Sequence, residues 1–312
     1  MNIPQKILVT GGAGWGGLDW TPYLLEKGYE VRVLDVNVEP LRHIEDEKLT
    51  LIQSGVQDRD AVRTAMEGVD AVVHLAWSFS TDPLETVETD LRGHIYVLEE
   101  AVSQKVKHLI YTSTAVVYGK LQYSPIDEKH PLVVEDARKP LYGIAKHFTE
   151  KTTLMFMKDR GLPVTIIRFW WAYGREIGGR HLREMLKTAA AGETLEVPVG
   201  SGGSFVSMED MSQALGLCLF NPKAFGQTFN FATVYVTWEE FSGMVREVTG
   251  NKCEIKRVLR EEWTGSAFLA DPWELSDDLA RELLGYQPTD STKAKEDLKG
   301  VIAKRWEAMQ AG

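Results

Sequence analysis

The chain has 312 residues, 44% of them hydrophobic, and 35 Lys and Arg against 45 Asp and Glu give a formal charge of −10. That length allows a large core and two lobes, and the acidic balance argues against nucleic acid or an anionic membrane as the main partner. Cys218 and Cys253 form no CxxC pair or Cys/His cluster, so no metal site is expected and a reducing cytoplasm is.

Residues 1–6 lead toward the first strand without the apolar segment of a secretory signal, and no apolar run is long enough to span a bilayer. The run Ile7-Leu8-Val9 reads as a buried strand, and Thr10-Gly11-Gly12-Ala13-Gly14-Trp15-Gly16-Gly17 follows it at once. Gly11, Gly14 and Gly17 are three apart: one for a tight turn, one to leave room for a pyrophosphate, one for close helix packing. A helix from Leu18 to Lys27 would then present free N–H groups to the anion. The next strand, Val31 to Leu34, ends at Asp35, where a carboxylate accepts ribose hydroxyls and repels a 2′-phosphate. This spacing selects NAD over NADP.

Short apolar strands then alternate with amphipathic stretches: Leu49 to Ile52, Asp58 to Met66, Ala71 to Leu75, Leu84 to Ser103, Leu109 to Thr112. The pattern predicts an α/β fold, a Rossmann-type doubly wound parallel sheet whose ligands bind beyond the carboxyl ends of the strands. His74 reads as a packed core histidine. Trp77 and Ser78, just past that strand's exit, are assigned to the substrate pocket, with a core role for Trp77 left open. Thr112, Ser113 and Thr114 bring hydroxyls to one strand end, and Tyr142-Gly143-Ile144-Ala145-Lys146 puts a phenol and an amine on one helix face. A nearby cation favours phenolate, which would draw Tyr142 down from its usual pKa near 10 toward proton exchange with a substrate hydroxyl.

Taken in this order, the motifs resemble the extended short-chain dehydrogenase/reductase family, the NAD-dependent epimerases and dehydratases. The resemblance rests on residues 10–17, Asp35, His74-Leu75-Ala76, Asp82-Pro83, Thr114 to Gly119, Tyr142 to Lys146 and Arg168 to Gly174. It implies that Tyr142 is the acid/base, that Lys146 holds the nicotinamide ribose and lowers the tyrosine pKa, and that Thr114 orients the substrate oxygen. It further implies that NAD meets Gly11, Gly14, Trp15, Gly16, Gly17, Asp35, Val56, Leu75, Ala76, Thr112 and Phe169. The substrate would meet Trp77, Ser78, Thr114, Trp171 and Arg175.

Several positions depart from the family. Ala115-Val116 stands where the dehydratases carry Asp-Glu, Trp171 where an Asn touches the sugar diphosphate, and Gly203-Ser204 where an Arg-Asp pair supplies a cation. Losing both the amide and the cation removes charge-assisted bonds worth about 1.5–3 kcal/mol each. Arg175, Arg180, His181 and Arg183 offer another route to a phosphate, or a solvated helix face. Gly55 replaces an Asp that contacts adenine, and Asp90 replaces an Asn.

These features lead to an NAD-dependent oxidoreductase acting on a secondary alcohol or carbonyl of a small non-nucleotide substrate, sugar-like or aromatic. The alternatives are a nucleotide-sugar 4-epimerase with tightly bound NAD and, from another class, a non-catalytic NAD sensor. Residues 1–175 are expected to form the NAD-binding domain, with later segments returning to it, and 176–312 mainly a substrate lobe. Apolar stripes including Val97, Phe148 and Met155 read first as core, and the resemblance implies a homodimer through those helices.

Overall fold

The computed structural model describes residues 5–137, 139–250 and 252–311. Residues 1–4, expected to lead into the first strand without a secretory segment, lie outside them. The chain begins with β1 (Lys6–Thr10), α1 (Gly17–Glu26), β2 (Glu30–Asp35), β3 (Leu49–Gln53), α2 (Arg59–Met66) and β4 (Ala71–His74). The stretch expected as one helix from Leu84 to Ser103 is instead a short α3 (Pro83–Glu85), a π-helical turn Thr86–Leu91 and α4 (Arg92–Ser103). Then come β5 (His108–Thr112), a 3₁₀ turn Ala115–Tyr118, the long α5 (Pro140–Arg160) and β6 (Val164–Arg168).

Beyond β6 the chain alternates between two bodies. β7 (Trp171–Tyr173), α6 (Arg180–Ala190), β8 (Leu195–Pro198) and β9 (Gly202–Ser207) build a lobe, after which α7 (Met208–Cys218) and β10 (Thr228–Asn230) return to the first body. β11 (Val234–Thr237), α8 (Trp238–Val248), β12 (Ile255–Val258), α9 (Ala267–Ala270) and β13 (Pro272–Trp273) complete the lobe. α10 (Asp278–Leu284) packs back on the first body, and α11 (Ser291–Ala311) covers the lobe.

Seven parallel strands run in the order β3-β2-β1-β4-β5-β6-β10. The strand sequence reverses between β1 and β4, so a crevice opens above their carboxyl ends, the place where dinucleotides bind in such sheets. The register aligns those ends: Thr10 faces Leu34 on one side and His74 on the other. One sheet face is sealed by α1, α7 and α10 through Trp20, Leu24, Met211, Leu215 and Leu284; the other is sealed by α2, α4 and α5 through Val62, Leu98 and Phe156. The continuous apolar strands follow from burial on both faces.

Gly17 shows why the turn needs glycine. A Cβ there would stand 2.5 Å from the Gly12 Cα, so α1 comes up against the turn only because residue 17 has none. Gly17→Ala is expected to cost about 1–3 kcal/mol, as overpacking does, and to weaken NAD binding. The urea midpoint and an NAD titration check both.

On α5, Phe148 and Met155 are 42% and 46% exposed, whereas Val97 on α4 is fully buried. The core expectation therefore fails for Phe148 and Met155, which lie on the side of α5 turned away from the sheet.

Candidate active site

The glycine turn leaves amides free at the open end of the sheet. Gly11 adopts φ +71°, and its N–H donates to Leu34 O at 2.8 Å. A Cβ on Gly11 would come within 2.7 Å of Ala76 N, so the turn presses directly on the exit of β4. The amides of Trp15, Gly16 and Gly17 make no intramolecular hydrogen bond among the described residues, and α1 has no side-chain cap. A Cβ on Gly16 would meet nothing nearer than 3.8 Å, so the surface beside these donors is open. Free amides at a helix N-terminus above an uncluttered glycine surface fit a pyrophosphate.

Asp35 sits beside this cradle, where Oδ2 accepts the Ala13 N–H and Oδ1 the Asn37 N–H, each at 3.0 Å. Two donors hold the carboxylate in place and leave acceptor capacity for ribose hydroxyls. Asp35→Ala is expected to weaken NAD about 10- to 100-fold, the loss of a charge-assisted hydrogen bond, while NADP affinity rises. Fluorescence titration with both nucleotides measures the change in preference.

The remaining cofactor candidates lie along the same crevice with differing exposure. Leu75, Ala76 and Phe169 are half-buried at strand exits, and Thr112 ends β5 with its Oγ1 buried and unpartnered. The Val56 side chain is instead sealed in the core against Gly93, where a Cβ would come within 2.6 Å of its Cγ2. At Gly55 the Gln57 side-chain amide fills the space a side chain would need. Gln57 thus stands near the missing acid, a neighbour that sequence reading passed over.

Thr114, Tyr142 and Lys146 converge above β5. Thr114 leaves the strand extended, accepts the Val116 N–H on Oγ1 at 3.2 Å and shares a hydroxyl hydrogen bond with Tyr142. The buried Lys146 donates to Thr112 O at 3.0 Å, with its Nζ 3.8 Å from the Trp77 ring centroid. Trp77 therefore lies in the site wall, meeting the Tyr142 ring edge-on at 5.8 Å while Phe79 stacks on it at the same distance. Phe79 carries no motif and was not expected there.

The structure corrects the electrostatics. Burial pushes the Tyr142 phenol up to about 12; the Thr114 hydrogen bond opposes this, and the Asp90 charge adds to it. Lys146 is turned toward Trp77 and Thr112, and burial outweighs what lowers the phenol. Burial takes Lys146 itself down to about 7, against the pull of Asp90 and Glu150. Beneath them His74 is held neutral, its pKa lowered by burial to about 3, with Nδ1 2.6 Å from Thr10 Oγ1. It is the packed histidine expected.

Three substrate candidates are committed to other groups. The Ser78 hydroxyl donates to Asp90 Oδ2 at 2.8 Å and accepts the Ser80 N–H at 3.1 Å, so it holds its own loop. The Arg175 guanidinium bonds Asp19 Oδ1 at 3.1 Å and Trp15 O at 2.8 Å, pinning the glycine turn to the chain after β7. The Trp171 ring stacks on Phe205 at 5.3 Å and neighbours Phe241 in the lobe core. The basic cluster likewise disperses, with Arg180 on Glu184 at 3.2 Å. At Gly203 a Cβ would collide with the Trp170 ring, so the glycine gives room to an aromatic core. Local sequence could not show this, because the partners are 33 positions apart.

Glycine turn, acidic strand tip and hydroxyl–phenol–amine centre on one parallel sheet define an enzyme that uses a nicotinamide dinucleotide. The chain belongs to the NAD dependent epimerase/dehydratase family, whose sequence pattern matches residues 7–232, and its cofactor is NAD. It is 27% identical to UDP-glucose 4-epimerase of Lactobacillus helveticus, with 97% of this chain and 96% of that one aligned. It is 30% identical over 284 residues to an uncharacterized protein of Sinorhizobium fredii, spanning 64% of that protein's length. The solved UDP-glucose 4-epimerase of Thermotoga maritima with UDP-glucose shares the fold, with a TM-score of 0.76 at 22% identity over 98% of this chain and 99% of that one. Among the described residues no group of His, Cys, Asp or Glu is arranged to hold a metal, and no helix is long and apolar enough to cross a membrane.

Proposed function

We propose that the protein is a nucleotide-sugar epimerase that works at a secondary carbinol carbon with NAD retained through the cycle. The observation that carries this reading is the Thr114–Tyr142–Lys146 centre at the mouth of the glycine crevice; relatedness to UDP-glucose 4-epimerase along nearly the whole chain supports the substrate class. Bound NAD supplies a reversible acceptor for the hydrogen on that carbon. Tyr142 takes the hydroxyl proton and later returns it, and Thr114 positions the same oxygen. In its ammonium form Lys146, one helical turn along α5, favours the phenolate form that Tyr142 must visit.

Dehydration is disfavoured, since Ala115 and Val116 carry no acid or base for elimination. The exposed apolar side of α5, with Ile144, Phe148 and Met155, supports a homodimer.

A second reading is net oxidation of a small non-nucleotide alcohol. It is favoured by Trp171 and Gly203, which are packed into the lobe core and supply neither amide nor cation to a diphosphate. Coenzyme turnover separates the two. Epimer exchange of UDP- or dTDP-hexoses followed by proton NMR, without added NAD and without NADH release, supports the epimerase. Stoichiometric NADH formation on free sugars or aryl alcohols replaces it with the dehydrogenase.

A further inference from the structure

Two carboxylates act on Lys146, and they are held differently. Glu150 is locked to Arg168 in a two-bond pair at 2.8 and 2.6 Å. Asp90, in the π-helical turn, is 3% exposed and has no ion-pair partner within salt-bridge distance among the described residues. Its two oxygens are spent on one residue: Oδ1 accepts the Ser78 N–H at 2.7 Å and Oδ2 the Ser78 hydroxyl at 2.8 Å. Ser78 lies between Trp77, which covers Lys146, and Phe79, which stacks on Tyr142. Phe79 holds φ +55°, a left-handed conformation that side chains other than glycine rarely adopt. A strained, 70% exposed aromatic keeps its place only if its neighbours are anchored, and Asp90 is the anchor.

We propose that Asp90 is a positioning residue of the catalytic centre: its grip on Ser78 fixes Trp77 over Lys146 and Phe79 over Tyr142, and its carboxylate supplies negative charge toward the buried Lys146 amine that favours its ammonium form. The inference rests on the reading of Tyr142 and Lys146 as the acid–base pair. The π-helical turn, which carries one extra residue per hydrogen-bonded ring, brings Asp90 to this position; such turns recur at functional sites.

The groups facing Lys146 can be named element by element. Asp90 comes from the π-helical turn, Glu150 and Tyr142 from α5, His74 from β4, His94 from α4 and Tyr111 from β5. Burial keeps both histidines neutral and both phenols protonated near neutral pH. Asp90 and Glu150 are thus the charges that oppose the desolvation of Lys146. Burial raises the Asp90 carboxyl and Glu85 adds to this, while the Ser78 bonds and Lys146 counter it.

The test uses the full chain without substrate. An indole face against an amine reports the amine's ionisation, so the Trp77 signal is taken as wild type minus Trp77→Phe and followed with pH. Lys146→Met, which removes the titrating group, identifies the transition by abolishing it. Asp90→Asn keeps an acceptor for the Ser78 N–H but loses the charge; the midpoint is expected to fall by about one pH unit or more. Ser78→Ala keeps the charge and loses one bond, so its midpoint moves far less, while Trp77 anisotropy drops as the loop loosens. An unchanged midpoint in Asp90→Asn, or an equal shift in Ser78→Ala, overturns the proposal. If circular dichroism shows Asp90→Asn unfolded, the double variant Asp90→Ala/Ser78→Ala, which removes both halves of the clamp, takes its place and the same shift is required. Sugar turnover is read separately: a shifted midpoint without epimer exchange leaves the role of Asp90 standing and removes the epimerase reading.

Discussion

Tyr142→Phe is expected to lower turnover about 100- to 10,000-fold, the range that positioned proton transfer contributes, with NAD binding retained. The substitution deletes one oxygen and keeps the ring that packs between Trp77 and Phe79 at 5.8 Å from each, so the site should hold its shape. The phenol is pushed up to about 12 by burial, which leaves it protonated near neutral pH. It must therefore lose its own proton before it can take the one from the substrate hydroxyl, and that requires positive charge nearby. Rates should fall with KM little altered, as when an interaction made only in the transition state is removed. Single-turnover kinetics on the true substrate checks this. Unchanged turnover would take the proton chemistry away from Tyr142 altogether.

The largest expected effect on stability comes from Glu150→Ala, at about 3–5 kcal/mol, the cost of leaving a buried charge without its partner. Glu150 accepts the Arg168 Nε–H and Nη2–H, and both side chains are almost wholly buried. Burial works against the Arg168 charge, but the Glu150 hydrogen bonds and charge outweigh it and the guanidinium pKa is raised. Arg168 Nη1 is already without a partner among the described residues, so losing Glu150 would leave the guanidinium further short of acceptors. The urea midpoint gives the loss directly. Replacing both residues by apolar ones of similar volume should recover much of it, because such pairs seldom outdo good packing.

The glycine turn, the Asp35 strand tip and the parallel strand pattern could be read from the chain because each is a local requirement. A backbone at φ +71° against Ala76 wants glycine whatever surrounds it, and strands buried on both faces are apolar along their whole length. Trp171 and Arg175 could not be read that way. Their partners Phe205, Phe241 and Asp19 are distant in sequence, and a tryptophan or arginine looks the same facing a sugar or a core. Phe148 and Met155 show the converse, apolar residues at helical spacing that face outward.

By itself the sequence determined where the backbone must turn, which strand ends carry hydroxyls and a carboxylate, and that a phenol and an amine share a helix face. Only the tertiary structure decided that this amine turns to Trp77 and Thr112, and that Asp90 clamps the loop beside them. Turn geometry and helical spacing are set by neighbours in the chain. Charge and burial are set by whatever long-range packing brings close, and a pKa depends on the latter.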